Sequence, residues 1–266
     1  MSTPAKEYYT SRLKELVQGA DVEAIVPKIT KPTLDAISRD SESDVEDTLW
    51  KLWGAFAEEA RRTSDKSAQN KLIDGLKAIQ ALSPVLVQKN DSKEQYSNWG
   101  GRVWDDLPIF GAQVREEWNY NGEGDESRWA NINAFVARIV NARLLDFDMY
   151  AIWSLREALE SSDLSKGDGS LNGLIPAAAQ WIFIAGSFIY QSDREWNPPP
   201  NQGNPARGGP LIADVKQGFS KERWAFWKKG FETVSKNTGD PVAEKTREMA
   251  REAIEKMGEI ETESQA

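Results

Sequence analysis

Apolar residues recur at three- and four-residue intervals along almost the whole of this 266-residue chain, and no alternating run bounded by hairpin signals interrupts them. Because an α-helix turns once in 3.6 residues, that spacing gathers the apolar side chains of each segment on one face, which must be buried against a neighbour. The chain therefore reads as all-α, an irregular multi-helix bundle around a buried apolar helix at 174–190. Eleven tryptophans and a 39 % apolar content are ample for a continuous core.

Local signals divide the helices. Pro4, just inside Ser2 and Thr3, opens a first helix with Tyr9, Leu13 and Leu16 on one face. Pro27 and Pro32 are expected to split the next stretch into two short pieces. Ser43 or Asp44 then caps a helix with an inward stripe of Val45, Leu49, Leu52, Trp53, Phe56 and Ala60, and Asp65 caps its antiparallel partner carrying Leu72, Leu76 and Ile79. A polar connection at 88–101 follows. Asp105 or Asp106 is read as the cap of a helix bearing Phe110, Val114 and Trp118, which a loop at 119–125 stops. Trp129, Ile132, Phe135, Val136, Ile139 and Val140 mark another, followed by one with Phe147, Ala151, Leu155 and Ala158. The segment 192–218 holds Pro198, Pro199, Pro200, Pro205 and Pro210 with Gly203, Gly208 and Gly209, a functional or mobile loop by its length. Ser220 caps a helix with Trp224, Trp227, Phe231 and Val234 on one face, and Asp240-Pro241 starts a last one with Val242, Met249, Ala253 and Met257 inward. The organisation expected is a single helical domain over 1–258, any subdivision falling near 88–101, with a frayed acidic tail at 259–266.

Two absences narrow the chemistry. There is no histidine and no cysteine, which removes Ser-His-Asp and Cys-His nucleophiles, His- or thiolate-bound zinc, iron–sulfur clusters and His- or Cys-ligated haem. No cofactor and no metal are expected. With 33 Lys and Arg against 42 Asp and Glu the formal charge is -9, which disfavours nucleic acid and anionic membrane as partners. The apolar 174–190 segment contains Pro176 and Gly186 and lacks flanking basic clusters, so it reads as a core helix rather than a membrane span. The polar first ten residues offer no secretory h-region, and a cytoplasmic location is expected.

Two stretches stand out as motifs: Trp-Asp-Asp-Leu-Pro-Ile-Phe-Gly from Trp104 with Arg115-Glu-Glu-Trp-Asn, and Gly-Phe-Ser-Lys-Glu-Arg-Trp from Gly218 with Trp227-Lys-Lys-Gly-Phe. Together with the helix at 129–139 they resemble a filamentous-fungal family known as domain-of-unknown-function family 3632 over roughly 96–234. The resemblance implies an intracellular helical protein, some relatives of which lie near natural-product gene clusters. It carries no activity and no catalytic residues.

Asp105-Asp106 has the form of half a magnesium site, but Leu107, Pro108 and Ile109 follow where a third acid is needed, and helix capping explains the pair. Asp146 and Asp148, two apart, would point to different faces of a helix and so form no shared site. The loop at 163–174 lacks the oxygen ligands and closing Glu of a calcium loop, and its glycines lack phosphate-loop order. Polar residues within apolar stripes are the better candidates for a pocket or an interaction surface: Arg115, Glu116, Asn133, Arg138 and Arg223, beside Trp104, Trp118, Trp224 and Trp227. Arg115 or Arg138 could pair with Glu116 or Glu222 as a structural bridge, or a guanidinium could hold a carboxylate or phosphate; the tryptophans could pack the core or line a pocket.

The leading reading is a soluble binding or interaction protein whose partner is a small molecule or a protein. The first alternative is a small-molecule enzyme of cyclase or isomerase type, with acid–base carboxylates in a Trp-lined cavity, in fungal natural-product metabolism; the second is a structural homodimer. Without imidazole, behaviour should change little between about pH 6.5 and 8 unless a carboxylate or lysine is strongly shifted.

Overall fold

The structure, a computed structural model, describes residues 4–119, 125–161, 163–164, 166–199, 201–239 and 241–265. Ser2, Thr3, Asp240 and most of the expected 119–125 loop lie outside the described residues. The chain divides into two compact units, Met1–Asn121 and Gly122–Ala266, and the 88–101 stretch lies inside the first.

In the first unit α1 (Pro4–Val17) buries Tyr9, Leu13 and Leu16. The expected split at the prolines does not occur: α2 (Val22–Ser38), capped by Asp21, runs through both. Each internal proline deletes a helix hydrogen bond and costs about 3 kcal/mol, whereas each of the buried Ile25, Val26, Ile29 and Ile37 contributes about 1.5–3 kcal/mol. The carbonyl that Pro32 leaves free, that of Lys28, accepts the Tyr8 hydroxyl of α1 at 2.9 Å. Helix α3 (Glu42–Arg62) begins before Ser43, with Ser41 at the cap position making no side-chain cap bond. Its apolar stripe is buried as expected. Asp65 caps α4 (Lys66–Gln80), accepting from the Ala68 N–H at 2.8 Å. Yet α3 and α4 pack mainly on α1 and α2 rather than on each other. Gly75 permits this, since a Cβ there would stand 3.1 Å from Leu16 of α1.

The polar 88–101 connection, where no strand was expected, lies within two antiparallel hairpins, β1 (Leu86–Lys89) with β2 (Ser92–Gln95) and β3 (Ser97–Asn98) with β4 (Gly101–Arg102). Their strands are too short and exposed to show alternation. The turn at Trp99 (φ 52) and Gly100 (φ 74) has both residues left-handed, the geometry that matches strand twist in a two-residue loop. Nor do Asp105 and Asp106 cap the following helix. Leu107 (φ 46) and Ile109 (φ 72) hold the backbone out of the helical region, so α5 starts only at Phe110 and runs to Asn119.

The second unit is built on the apolar helix. Helices α6 (Glu126–Asn141, capped by Asp125), α7 (Met149–Leu159), α9 (Lys221–Ser235, capped by Ser220) and α10 (Glu244–Glu263) all pack on α8 (Leu171–Gln191). Helix α8 is longer than the 174–190 read from sequence, and among the described residues it is the one helix long and apolar enough to cross a bilayer by length and composition; half of that stretch is buried in the fold. Gly186 receives Ile260 of α10, whose Cδ1 would lie 2.6 Å from a Cβ. Hence α10 runs past Gly258 instead of fraying: Ile260 is buried, and Glu261 accepts from Trp224 Nε1 at 2.8 Å and Lys228 Nζ at 2.6 Å.

Candidate functional site

The residues selected from sequence do not converge. Trp104 is core, 1 % exposed. Asp106 takes the Arg102 backbone N–H and guanidinium at 2.8–2.9 Å, and Asp105 accepts from Gln95 Nε2 at 2.8 Å. Both acids therefore close the turn after β4, and the Arg102 bonds hold the Asp106 carboxyl down at about 2. Trp53 Nε1 and Gln80 Nε2 pin the same segment through the Pro108 and Asp105 carbonyls. Arg115 and Glu116 are exposed, and Trp118 packs in the first unit's core. In the second unit Asn133 is wholly buried and satisfied, donating to the Trp129 carbonyl and accepting from Ser154 Oγ at 2.6 Å and Trp181 Nε1 at 2.8 Å, which ties α6, α7 and α8 together. Arg138 donates to the Ala134 carbonyl of its own helix. The bridges that do form between helices include Arg61–Glu117 at 2.7 Å, Lys228–Glu261 at 2.6 Å and Arg223–Glu160.

Arg223 and Glu160 are both 0 % exposed and mutually saturated. Arg223 Nε and Nη2 donate to the two Glu160 oxygens at 2.7 and 3.0 Å, and Nη1 and Nη2 donate to the carbonyls of Ala206, Gly218 and Arg207 at 2.8–3.1 Å. Glu160 also accepts from Trp227 Nε1 at 2.6 Å and from the Gly209 N–H at 2.7 Å. Arg156 Nη1 and Trp153 Nε1 add bonds to the Pro205 carbonyl at 2.8 and 3.0 Å. This node binds the Pro/Gly segment, which its composition left open as mobile, onto α7 and α9. It leaves Arg223 and Trp227 no free donor for a ligand. Glu160 was invisible in the sequence because one glutamate at a helix end looks like any solvated acid.

A different cluster has spare capacity. Asp146 and Asp148 lie in the connection before α7, not on a helix, and both turn toward Arg194, which follows α8. The expectation that they cannot share a site fails because no helix runs through both: α7 starts only at Met149, with Asp148 at its N-cap position. Arg194 Nη1 donates to Asp146 and to both Asp148 oxygens at 3.0 and 3.1 Å, and its guanidinium stacks over Trp196 at 4.5 Å. Asp148, 3 % exposed, stands at the N-cap position of α7 but spends its carboxylate on Arg194 rather than on the helix. Burial, then the neighbouring Asp146 carboxylate, push its pKa up to about 6, while the Arg194 hydrogen bond holds Asp146 below the usual range.

These groups line a cleft of about 280 Å³ with Val140, Arg143, Leu145, Phe147 and Phe188. Arg143 occupies the position just past the end of α6 at φ 55, where Arg143 N–H bonds to the Val140 carbonyl (2.9 Å) and Leu144 N–H to that of Ile139 (3.1 Å). That helix-ending motif normally takes glycine, since an L side chain in the left-handed region costs about 1 kcal/mol. The guanidinium at this strained position is exposed, and it forms no ion pair among the described residues. A second cleft of about 260 Å³ is more apolar, lined by Leu159, Leu164, Leu211 and Phe226 with Lys229 at its side. Neither cleft is lined by tryptophan.

Fold and site together define an all-α protein carrying a small cleft of balanced charge in one helical unit. The chain belongs to the family described as "Protein of unknown function (DUF3632)", whose model matches residues 53–231. The match spans the motifs at 104 and 218 that carried the resemblance, as well as the whole cleft. No curated protein and no solved structure matches it significantly.

Proposed function

We propose that this protein works by binding a small organic molecule in the cleft formed by Arg143, Asp146, Asp148 and Arg194. The observation that carries this reading is the union, in one cavity, of a buried carboxyl that holds its proton to about pH 6 and an arginine placed where glycine would be less strained. The apolar walls Val140, Leu145, Phe147 and Phe188 supply the desolvated surface that small-molecule sites use for affinity, with the charged groups fixing orientation. A few-hundred-compound fragment screen read by ¹H–¹⁵N NMR tests it. Perturbations should concentrate at 140–148 and 188–194 and disappear in Arg143→Gly. A screen in which no fragment perturbs those amides refutes the reading.

The acid–base enzyme reading keeps one specific support: two adjacent carboxyls whose pKa values are pushed apart, the arrangement that assigns one as acid and the other as base. It requires carboxylates in an aliphatic and phenylalanine-lined cleft, not the Trp-lined cavity. A turnover whose pH profile has a limb near 6 that vanishes in Asp148→Asn would favour it over simple binding.

A further inference from the structure

We propose that the cleft takes a small monocarboxylate with an apolar body, and that one proton enters with it. This inference rests on the reading of the cleft as a ligand site and adds the ligand's chemistry. The ionisable groups that act on Asp148 are Asp146 on its own connection and Arg194 beyond α8, and Arg143 lines the same cleft; α6 and α8 contribute Val140 and Phe188 to its lining. With both acids ionised, the two arginines and two aspartates cancel. One proton on the acid pair leaves a net charge of +1, which a single carboxylate neutralises, whereas a dianion would make the site net negative.

Geometry selects the same class. Arg194 already contacts three of the four aspartate oxygens, so an incoming ammonium would compete with a bound guanidinium in a cleft lined by two arginines. Arg143, whose side chain has no hydrogen-bond or ion-pair partner among the described residues, can receive a carboxylate in bidentate fashion. A proton shared between Asp148 and Asp146 removes the negative charge that would repel that carboxylate. The volume of about 280 Å³ is at the low end for small-molecule sites, so the apolar body is a single ring or a short branched chain against Phe147, Phe188, Val140 and Leu145.

The test compares three probes with the same ring and different heads, benzoate, benzamide and benzylamine, by NMR titration and by calorimetry in two buffers of different ionisation enthalpy. Benzoate should bind at the cleft and the other two at least tenfold more weakly. Its affinity should fall by roughly tenfold per pH unit above pH 6, with proton uptake approaching one at pH 7.5. Asp148→Asn, a permanent neutral form, should bind benzoate with a flat pH profile, and Arg143→Gly should weaken it at least tenfold while staying folded. Benzylamine or benzamide matching benzoate overturns the inference and leaves the ligand reading standing. Benzoate binding without proton uptake, a slope that persists in Asp148→Asn, or undiminished binding in Arg143→Gly overturns it as well. If none of the three perturbs the cleft the inference also falls, and the fragment screen decides the underlying reading independently.

Discussion

Two arginine–carboxylate clusters in the second unit differ in one respect that separates structure from function. At Arg223 the hydrogen-bond inventory closes: Nε and both Nη atoms donate, Glu160 accepts on both oxygens, and both side chains are 0 % exposed. At Arg194 it stays open. Two carboxylates compete for one guanidinium, one of them retains its proton well above the usual range, and a second arginine that forms no ion pair among the described residues lines the same cleft. Burying an ion pair costs desolvation that only complete pairing offsets, so a saturated cluster is a structural fastening, whereas an over-supplied one beside a cavity can exchange partners. Burial alone would have ranked Arg223 first as a site. Saturation reverses that order.

The largest expected effect tests the closed cluster. Glu160→Ala should destabilise the protein by about 3–5 kcal/mol, because it strands a buried guanidinium, and equilibrium urea unfolding measures it. A loss below about 1 kcal/mol would mean the node fastens nothing. Next, Gly218→Ala places a Cβ onto the carbonyl oxygen of Arg194, where the two ends of the 192–218 segment meet through the Glu195–Gly218 bridge. It should cost about 2 kcal/mol and broaden the Asp148 side-chain signals, linking the segment's closure to the cleft. An unchanged Asp148 titration in that variant would uncouple the two regions.

Smaller effects sharpen the open cluster. Asp148→Asn should raise stability at pH 7.5 by about 1 kcal/mol and give no gain at pH 4. The native pKa of Asp148, about 6, lies above its usual 3.8, so the native state binds the extra proton and the protein loses stability as pH rises through that window. Asp146 acts in the opposite sense: its depressed pKa contributes stability present above about pH 4 and lost as acid titrates it. Melting temperature against pH for wild type and variant reads both signs, and a wild-type stability that climbs from pH 4 to 6 as steeply as the variant's would remove Asp148 from the account. Smallest of all, Arg143→Gly should leave stability unchanged or raise it by up to about 1 kcal/mol while weakening benzoate binding at least tenfold. Destabilisation there would show that the arginine is a packing element after all.

Much of the architecture was legible because it depends on near neighbours in the chain. The stripe from Val45 to Ala60, the caps Asp65 and Ser220, and the apolar helix around 174–190 follow from spacing and composition within a few residues. Where reading failed, a distant partner or a backbone torsion had intervened. The lost hydrogen bond at Pro32 is offset by Tyr8, Asp105 and Asp106 are drawn into the β4 turn by Arg102, and α10 is extended by Ile260 seated on Gly186. The candidate site failed for the same reason. Asp146 and Asp148 were set aside on helical periodicity that does not hold before Met149, and neither Arg143 nor Arg194 carries any local signature.

What the sequence determined by itself is the helical class and the chemical inventory, carboxylate, guanidinium, amine, hydroxyl and indole without imidazole or thiol, because these follow from residue identity and from periods of three and four. Which charged groups are consumed in the core and which are left facing a cleft was decided only by the tertiary structure. Desolvation and hydrogen-bond saturation are properties of surroundings assembled from residues 46 to 67 positions apart, as in Arg194 with Asp148 and Trp227 with Glu160.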